Sequence, residues 1–445
     1  MTVASRRRRP ALLLLLAVVA VPPRPARAQT PLTLQDAMSR ARVQTADARA
    51  LASSIEEADA RVRQARSGFW PRVDVTETVQ RGDQPVFVFS SLLSQRRFSE
   101  ANFAIPALNH PDPLTNTRTG IAVEQRVFDA GLTLLAVRAA KLDRDMAAAT
   151  QDDASRDLAF RAAQAFVRVL QLEAAVRAAD GAVAASESDQ QRARARREIG
   201  LVTEADVLAV EVHQADMRQR QITAAGDLAV ARIQLADAVG LPLNTAVMVV
   251  RPSPSPMPAD GDTLVREALN IHPRRRQAEL QQQLADNARR TARAGLLPTV
   301  AAQAGWEFNG STLGTQESSW LVGAEVRLNL FKGFADLARM TEAGHAQTRA
   351  AAERERVERR IEVEVRAALA QVAAARAREE AGRTALTQAR ESQRIIRDRY
   401  EAGLATVTDI LRAAEATLDA ESRATAAEMD VILQTVALDR AIGRL

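Results

Sequence analysis

The sequence predicts an internally duplicated α+β membrane protein, with four transmembrane β-strands and a set of long helices in each chain. Three observations carry this reading. The motif Arg194-x-Arg196-x-Glu198-x-Gly200-Leu201-x-Thr203-x-x-Asp206-x-Leu208 returns, without a gap, as Arg397-x-Arg399-x-Glu401-x-Gly403-Leu404-x-Thr406-x-x-Asp409-x-Leu411. Four segments of strand length alternate apolar and polar residues. Two runs, 132–198 and 335–402, contain no proline. A repeat this long exceeds any solenoid unit and points to a duplicated half-protein.

The first 28 residues read as a signal peptide. Arg6–Arg9 form a basic start, Ala11–Val21 an apolar stretch, and Ala26-Arg27-Ala28 a small-residue cleavage site. The apolar stretch is too short for a spanning helix, which needs about 20 residues. This segment holds six arginines and no acid, so removing it takes the formal net charge from +5 to −1. The basic balance then argues for no nucleic-acid partner. Cysteine is absent, and His110, His213, His272 and His345 lie far apart. No thiol chemistry, metal site or cofactor motif is expected, and an enzyme is not expected.

The first repeat is expected over 29–245 and opens with a helix at 33–66. Strands follow at 70–80 and 119–128. In the first, Val73, Val75 and Val79 face one way and Arg72, Asp74, Thr76 and Gln80 the other; in the second, Ile121, Val123 and Val127 oppose Ala122, Glu124 and Arg126. A long helix at 131–199 would run about 100 Å at 1.5 Å per residue, and a shorter one covers 204–240. The stretch 246–263, with prolines at 252, 254, 256 and 258, reads as a stiff linker.

The second repeat, 264–445, has a helix at 264–294, strands at 298–309 and 319–331, a long helix at 334–402 and a shorter one at 404–443. Trp306 and Phe308 share a face with Val300, and Trp320 shares one with Val322, Val326 and Leu328. Both first strands enter alike, through Gly68-x-x-Pro71-x-Val73 and Gly295-x-x-Pro298-x-Val300. Each strand is about the length of a transmembrane β-strand, with one apolar and one polar face. A half-buried soluble sheet gives the same alternation. Four strands cannot close a membrane barrel, and lipid tolerates no open strand edge, so spanning strands require several chains to share one wall.

These features together resemble the TolC-type outer membrane efflux protein family. The carriers are the duplicated strand–strand–long-helix unit, the Gly–x–x–Pro strand entries, the Phe128 and Phe331 strand exits, and the Arg-Tyr-Glu-Ala-Gly-Leu-Ala-Thr-x-x-Asp-Ile-Leu segment at 399–411. The resemblance implies a homotrimer whose strands build a shared 12-stranded barrel in the bacterial outer membrane, in contact with its lipid. Long periplasmic helices would form an α-barrel below it. The function implied is the passive exit duct of a tripartite efflux pump, or the outer membrane component of type I protein secretion. The partners implied are a periplasmic adaptor (membrane fusion) protein and an inner-membrane RND or ABC transporter. A soluble periplasmic coiled-coil adaptor or scaffold is the reading of a different class; the four alternating strands stand against it.

Two turns, at 199–204 and 402–407, carry the site expectation. A glycine C-cap followed by a threonine N-cap is what any helical hairpin needs. The resemblance adds that Gly200, Leu201, Thr203, Gly403, Leu404 and Thr406 are adaptor-docking tips. It places Asp409 and Tyr400 at a periplasmic aperture, with Arg399 and Arg412 nearby and Asp206 and Glu204 in the matching first turn of the other hairpin. Three carboxylates in a ring repel unless paired, so Arg412 or Arg399 is expected to lock onto Asp409. Arg412 and Ala405 depart from the family's usual closing pattern. The 81–118 insert is expected outside the cell, as a loop packing its own aromatics on the rim or as a lid over the barrel mouth.

Overall fold

The computed structural model describes residues 31–253 and 260–445. The expected signal peptide and the linker prolines at 254, 256 and 258 lie outside the described residues. In chain order the elements are α1 (Leu34–Gln44), α2 (Ala46–Arg66), β1 (Arg72–Gly82), α3 (Pro85–Ser94), α4 (Ile105–Asn109), β2 (Leu114–Phe128), α5 (Leu132–Glu198), α6 (Glu204–Ala238), α7 (Gly261–Ile271), α8 (Pro273–Ala294), β3 (Thr299–Gly310), β4 (Gln316–Arg327), α9 (Ala335–Glu401) and α10 (Val407–Ile442). Among the described residues no helix is long and apolar enough to cross a membrane.

Two helices expected to be continuous are broken, both 23 positions before the strand-entry glycine. Residues 33–66 divide at Thr45, which is extended (φ −72°, ψ 157°). Its hydroxyl donates to the Ala41 carbonyl and accepts from the Ala48 amide, at 2.9 and 3.1 Å, so one side chain serves both helix ends. Residues 264–294 divide at His272, because Pro273 excludes the helical conformation from the residue before it. Nδ1 of His272 accepts from the Arg274 amide at 3.2 Å and starts α8. The α7 helix begins at Gly261, inside the stretch read as linker. Another part of that stretch is anchored: Leu32 donates to Met248 and accepts from Val250, and Val247 is buried.

The four strands form one antiparallel sheet in the order β1-β2-β3-β4, leaving an open edge at β1 and another at β4. The register aligns apolar residues into rows that cross all four strands: Val73, Val123, Ala304, Val322, and then Val75, Ile121, Trp306, Trp320. The opposite face carries rows such as Arg72, Glu124, Gln303 and Thr76, Gly120, Glu307, with an Arg118–Glu307 ion pair at 3.4 Å. Glu77, passed over in the alternation, falls on the apolar face and accepts from the Thr119 hydroxyl at 2.5 Å. The strand limits also move. Pairing carries β2 back to Leu114, five residues before its expected start, and β4 stops at Arg327 rather than 331.

The α5 and α9 helices are both 67 residues long, about 100 Å at 1.5 Å per residue. Each is entered through two consecutive left-handed residues, Ala130–Gly131 and Gly333–Phe334, which turn the chain from strand into helix. Burial follows the long helices as separate clusters. The largest joins Leu32 and α1 to Phe166, Val169, Leu235 and Val239; a second joins α7, α9 and α10 around Ile361, Val365 and Ile442. A third lies where the two hairpins end, at Val207, Tyr400 and Ile410.

Candidate functional site at the paired helical tips

The helices of each hairpin reverse within a few residues, and the sequence dictates how. At the end of α5, Gly200 takes φ +73°; its amide bonds the Arg197 carbonyl at 2.9 Å, and the Leu201 amide bonds Arg196 at 2.9 Å. At the end of α9, Gly403 takes φ +77°, with Gly403 to Tyr400 at 3.0 Å and Leu404 to Arg399 at 2.8 Å. This is the Schellman arrangement, in which a left-handed glycine lets two amides satisfy orphan carbonyls. The following helix starts at once on a capping box. Thr203 and Asp206 exchange bonds at the head of α6, as do Thr406 and Asp409 at the head of α10.

The capping boxes decide what the two aspartates do within one chain. The Asp409 carboxylate accepts from the Thr406 amide at 2.9 Å and from its hydroxyl at 2.7 Å. Asp206 accepts from Thr203 at 2.9 and 2.8 Å. The backbone bonds, then the hydroxyl bonds, hold both carboxyls below the usual aspartate range; Arg412 and Arg399 add smaller electrostatic contributions at Asp409. Among the described residues no ion pair joins Asp409 to Arg399 or Arg412, so the expected lock is not formed within the chain. The capping box turns Oδ2 of Asp409 onto its own helix end, and neither guanidinium comes within ion-pair distance of the carboxylate.

Tyr400 is 6% exposed and packs with Ala193, Val207, Val210, Val407 and Ile410, fusing the two hairpins at their ends. Arg196, absent from the expected site, covers it. The guanidinium carbon lies 4.4 Å from the ring centre, and its nitrogens donate to the carbonyls of Tyr400 and Glu401 at 2.6 and 2.9 Å. One α5 side chain thus caps the C-terminus of α9. The recurrence of Arg196 as Arg399 was the available sequence signal. Glu204 bridges its own hairpin by pairing with Arg197 at 2.5 Å. Their counterparts in the second hairpin are Val407 and Tyr400, both buried. The repeat therefore exchanges an ion pair for an apolar contact at the same place. Leu201 and Leu404 project from the tips, 64% and 69% exposed.

The family model for the outer membrane efflux protein matches residues 37–241 and again 264–444. The chain belongs to this family. Protein CyaE of Bordetella pertussis is 27% identical over 342 residues, spanning 75% of this chain and 72% of that protein. Among solved structures, the CmeC outer membrane channel of Campylobacter jejuni matches with a TM-score of 0.76 at 15% identity, covering 92% of this chain and 85% of that one. The outer membrane protein VceC of Vibrio cholerae matches at 0.74 and 17%, covering 92% and 96%. At these identities the structural likeness is one of fold. It accounts for the pairing of a small antiparallel sheet with very long helices in this efflux-family chain.

Proposed function

We propose that three copies of this chain form a continuous exit duct across the bacterial outer membrane and periplasm, and that it serves as the outer component of a tripartite efflux pump. One observation carries the reading: an antiparallel sheet with exposed apolar rows on one face and an unpaired strand at each edge. Trp320 in those rows is 72% exposed. Neither feature is stable in water, and open edges are not tolerated in lipid. An even number of alternating strands lets β4 of one copy pair antiparallel with β1 of the next, so three copies close a ring of about 12 strands, within the range of membrane barrels. The apolar rows then meet lipid, and the polar face lines the bore.

The helices continue the bore into the periplasm, and the paired tips form its far end. Exposed Leu201 and Leu404 make the tips an apolar docking surface for a periplasmic adaptor, which links the duct to an inner-membrane RND or ABC transporter. Asp409 faces a neighbouring copy at the aperture. Arg399, exposed and without an ion pair among the described residues, stands to the next copy's α5 as Arg196 stands to α9 within the chain. Detergent-purified protein examined by cross-linking and in planar bilayers tests the duct. Trimers with stepwise ion conductance are expected; a monomer that remains soluble without detergent would refute it. For docking, Leu201→Asp with Leu404→Asp should leave the trimer intact and abolish efflux in cells. Unimpaired efflux by that variant would reject the tips as the docking surface.

A further inference from the structure

We infer that the segment between β1 and β2 is a latched filter inside the outer mouth of the duct, a second constriction on the export path set by Gln95 and Arg96. The inference rests on the shared-barrel reading above.

The segment, residues 83–113, is folded. Phe89, Phe98 and Phe103 stack edge to face, with centroids 4.7 and 5.1 Å apart, which gives it a small core of its own. What matters is where it docks. Along α3 the residues Val88, Ser91 and Gln95 are buried, a spacing of three and four that defines one helix face. That face touches the sheet. Gln95, 3% exposed, donates through Nε2 to the Asn116 side chain and to the Thr115 carbonyl, both at 3.0 Å. Asn116 in turn donates to Asn309 at 3.0 Å. Asn116 and Asn309 both belong to the polar face, in step with Arg118 and Glu307. The segment therefore lies against the face that lines the bore and not against the lipid face or the outer rim.

Arg96 closes the latch at a conformational cost. It ends α3 in the left-handed region, φ +51°, in the place where glycine normally sits. From there its guanidinium donates to the Ser318 carbonyl at 3.2 Å and pairs with Glu317 at 3.3 Å, both on β4. A strained non-glycine residue persists where the surrounding contacts hold it. The latch thus reaches β2 and β3 through Gln95 and Asn116, and β4 through Arg96. The opposite face of α3, carrying Val86 and Leu93, is exposed and points away from the sheet, toward the centre of the ring. Three such helices narrow the mouth from inside and hold back large solutes arriving from the medium.

The test uses the full chain in the outer membrane, and the absence of native cysteine makes it clean. Thr76→Cys puts a thiol on the polar face below the latch, and Leu313→Cys puts one on the exposed β3–β4 turn as an external control. A membrane-impermeant, polymer-bearing maleimide is added to intact cells, and trimer assembly is followed by cross-linking. Labelling of Thr76→Cys is expected to be at least tenfold slower than that of Leu313→Cys. Adding Gln95→Ala and Arg96→Ala should speed it about tenfold without changing the control. If that double change impairs assembly, Arg96→Gly keeps the left-handed turn, removes only the β4 contacts, and should still accelerate labelling. Assembled trimers in which Thr76→Cys reacts as fast as the control, or in which the latch changes leave its rate unaltered, overturn the filter alone. A chain that never assembles overturns the shared barrel, and the filter with it.

Discussion

Arg196 gives the sharpest test of how the tips are held together. Replacing it with alanine removes two charge-assisted hydrogen bonds, to the carbonyls of Tyr400 and Glu401, and the stacking of its guanidinium on the Tyr400 ring. Arg196 is half-buried, so each bond is assigned about 1 kcal/mol, below the usual range for charged groups, and the stacking about 0.5 kcal/mol. The loss is therefore about 2.5 kcal/mol, borne by the end of α9 and the turn that follows. Local opening should become about 70-fold more frequent, at 1.36 kcal/mol per decade. Amide hydrogen exchange of the peptide spanning 396–411, read by mass spectrometry under equilibrium opening, should accelerate by that factor. The peptides of α5 and α6 should change far less. Arg196→Lys keeps the charge but not the planar fork, so it should recover less than half of the protection. Exchange within twofold of the original protein, or full rescue by lysine, would refute this account of the tip.

Further predictions follow from the sheet, the caps and the glycines. Val322→Arg, in the apolar rows, should cost about 2–4 kcal/mol on folding into lipid vesicles, while Ser319→Arg on the polar face should cost under about 1; equal effects in a denaturant titration would remove the assignment of faces. Asp206 and Asp409 have depressed pKa values in the folded chain, so their caps are fully effective above the unfolded value of about 3.9 and are lost as pH falls through the lower folded value. The heads of α6 and α10 should therefore lose exchange protection in acid, after correction for intrinsic rates, and Asp206→Asn with Asp409→Asn should flatten that dependence. Gly200→Ala and Gly403→Ala place a side chain at positive φ and should destabilise their turns by about 1–2 kcal/mol. Gly181→Ala lies within α5, where an added Cβ meets nothing within 4 Å, and should stabilise by about 0.5–1 kcal/mol. The opposite signs can be read from chemical denaturation of the three variants side by side.

Much of this chain is legible from local sequence because its elements are long and regular. Proline-free runs predicted α5 and α9 to within a residue at each end, and the glycine–threonine spacing predicted both tip turns. These features depend on neighbours within a few positions, which is what a sequence displays. The same is true of the caps, although the capping box that shapes the turn also holds one oxygen of Asp409 at its own helix end, a role the expected lock did not include. The helix breaks at Thr45 and His272 were also present as local signals, a capping threonine and the residue before a proline, but the apolar pattern ran across them.

Tertiary structure decided what depends on residues far apart in the chain. That Gln95 meets Asn116, that Arg96 reaches β4, and that Arg196 seals the far end of α9 are pairings across separations no periodicity encodes. The five extra residues of β2 were likewise fixed by pairing with β1 rather than by their own alternation. Sequence alone determined the four strands, the long helices and the two tip turns, because backbone preference and side-chain periodicity act locally. The fold decided which of those residues share a face, an edge or a charge, because only the register of the sheet and the packing of the long helices bring them within hydrogen-bond reach.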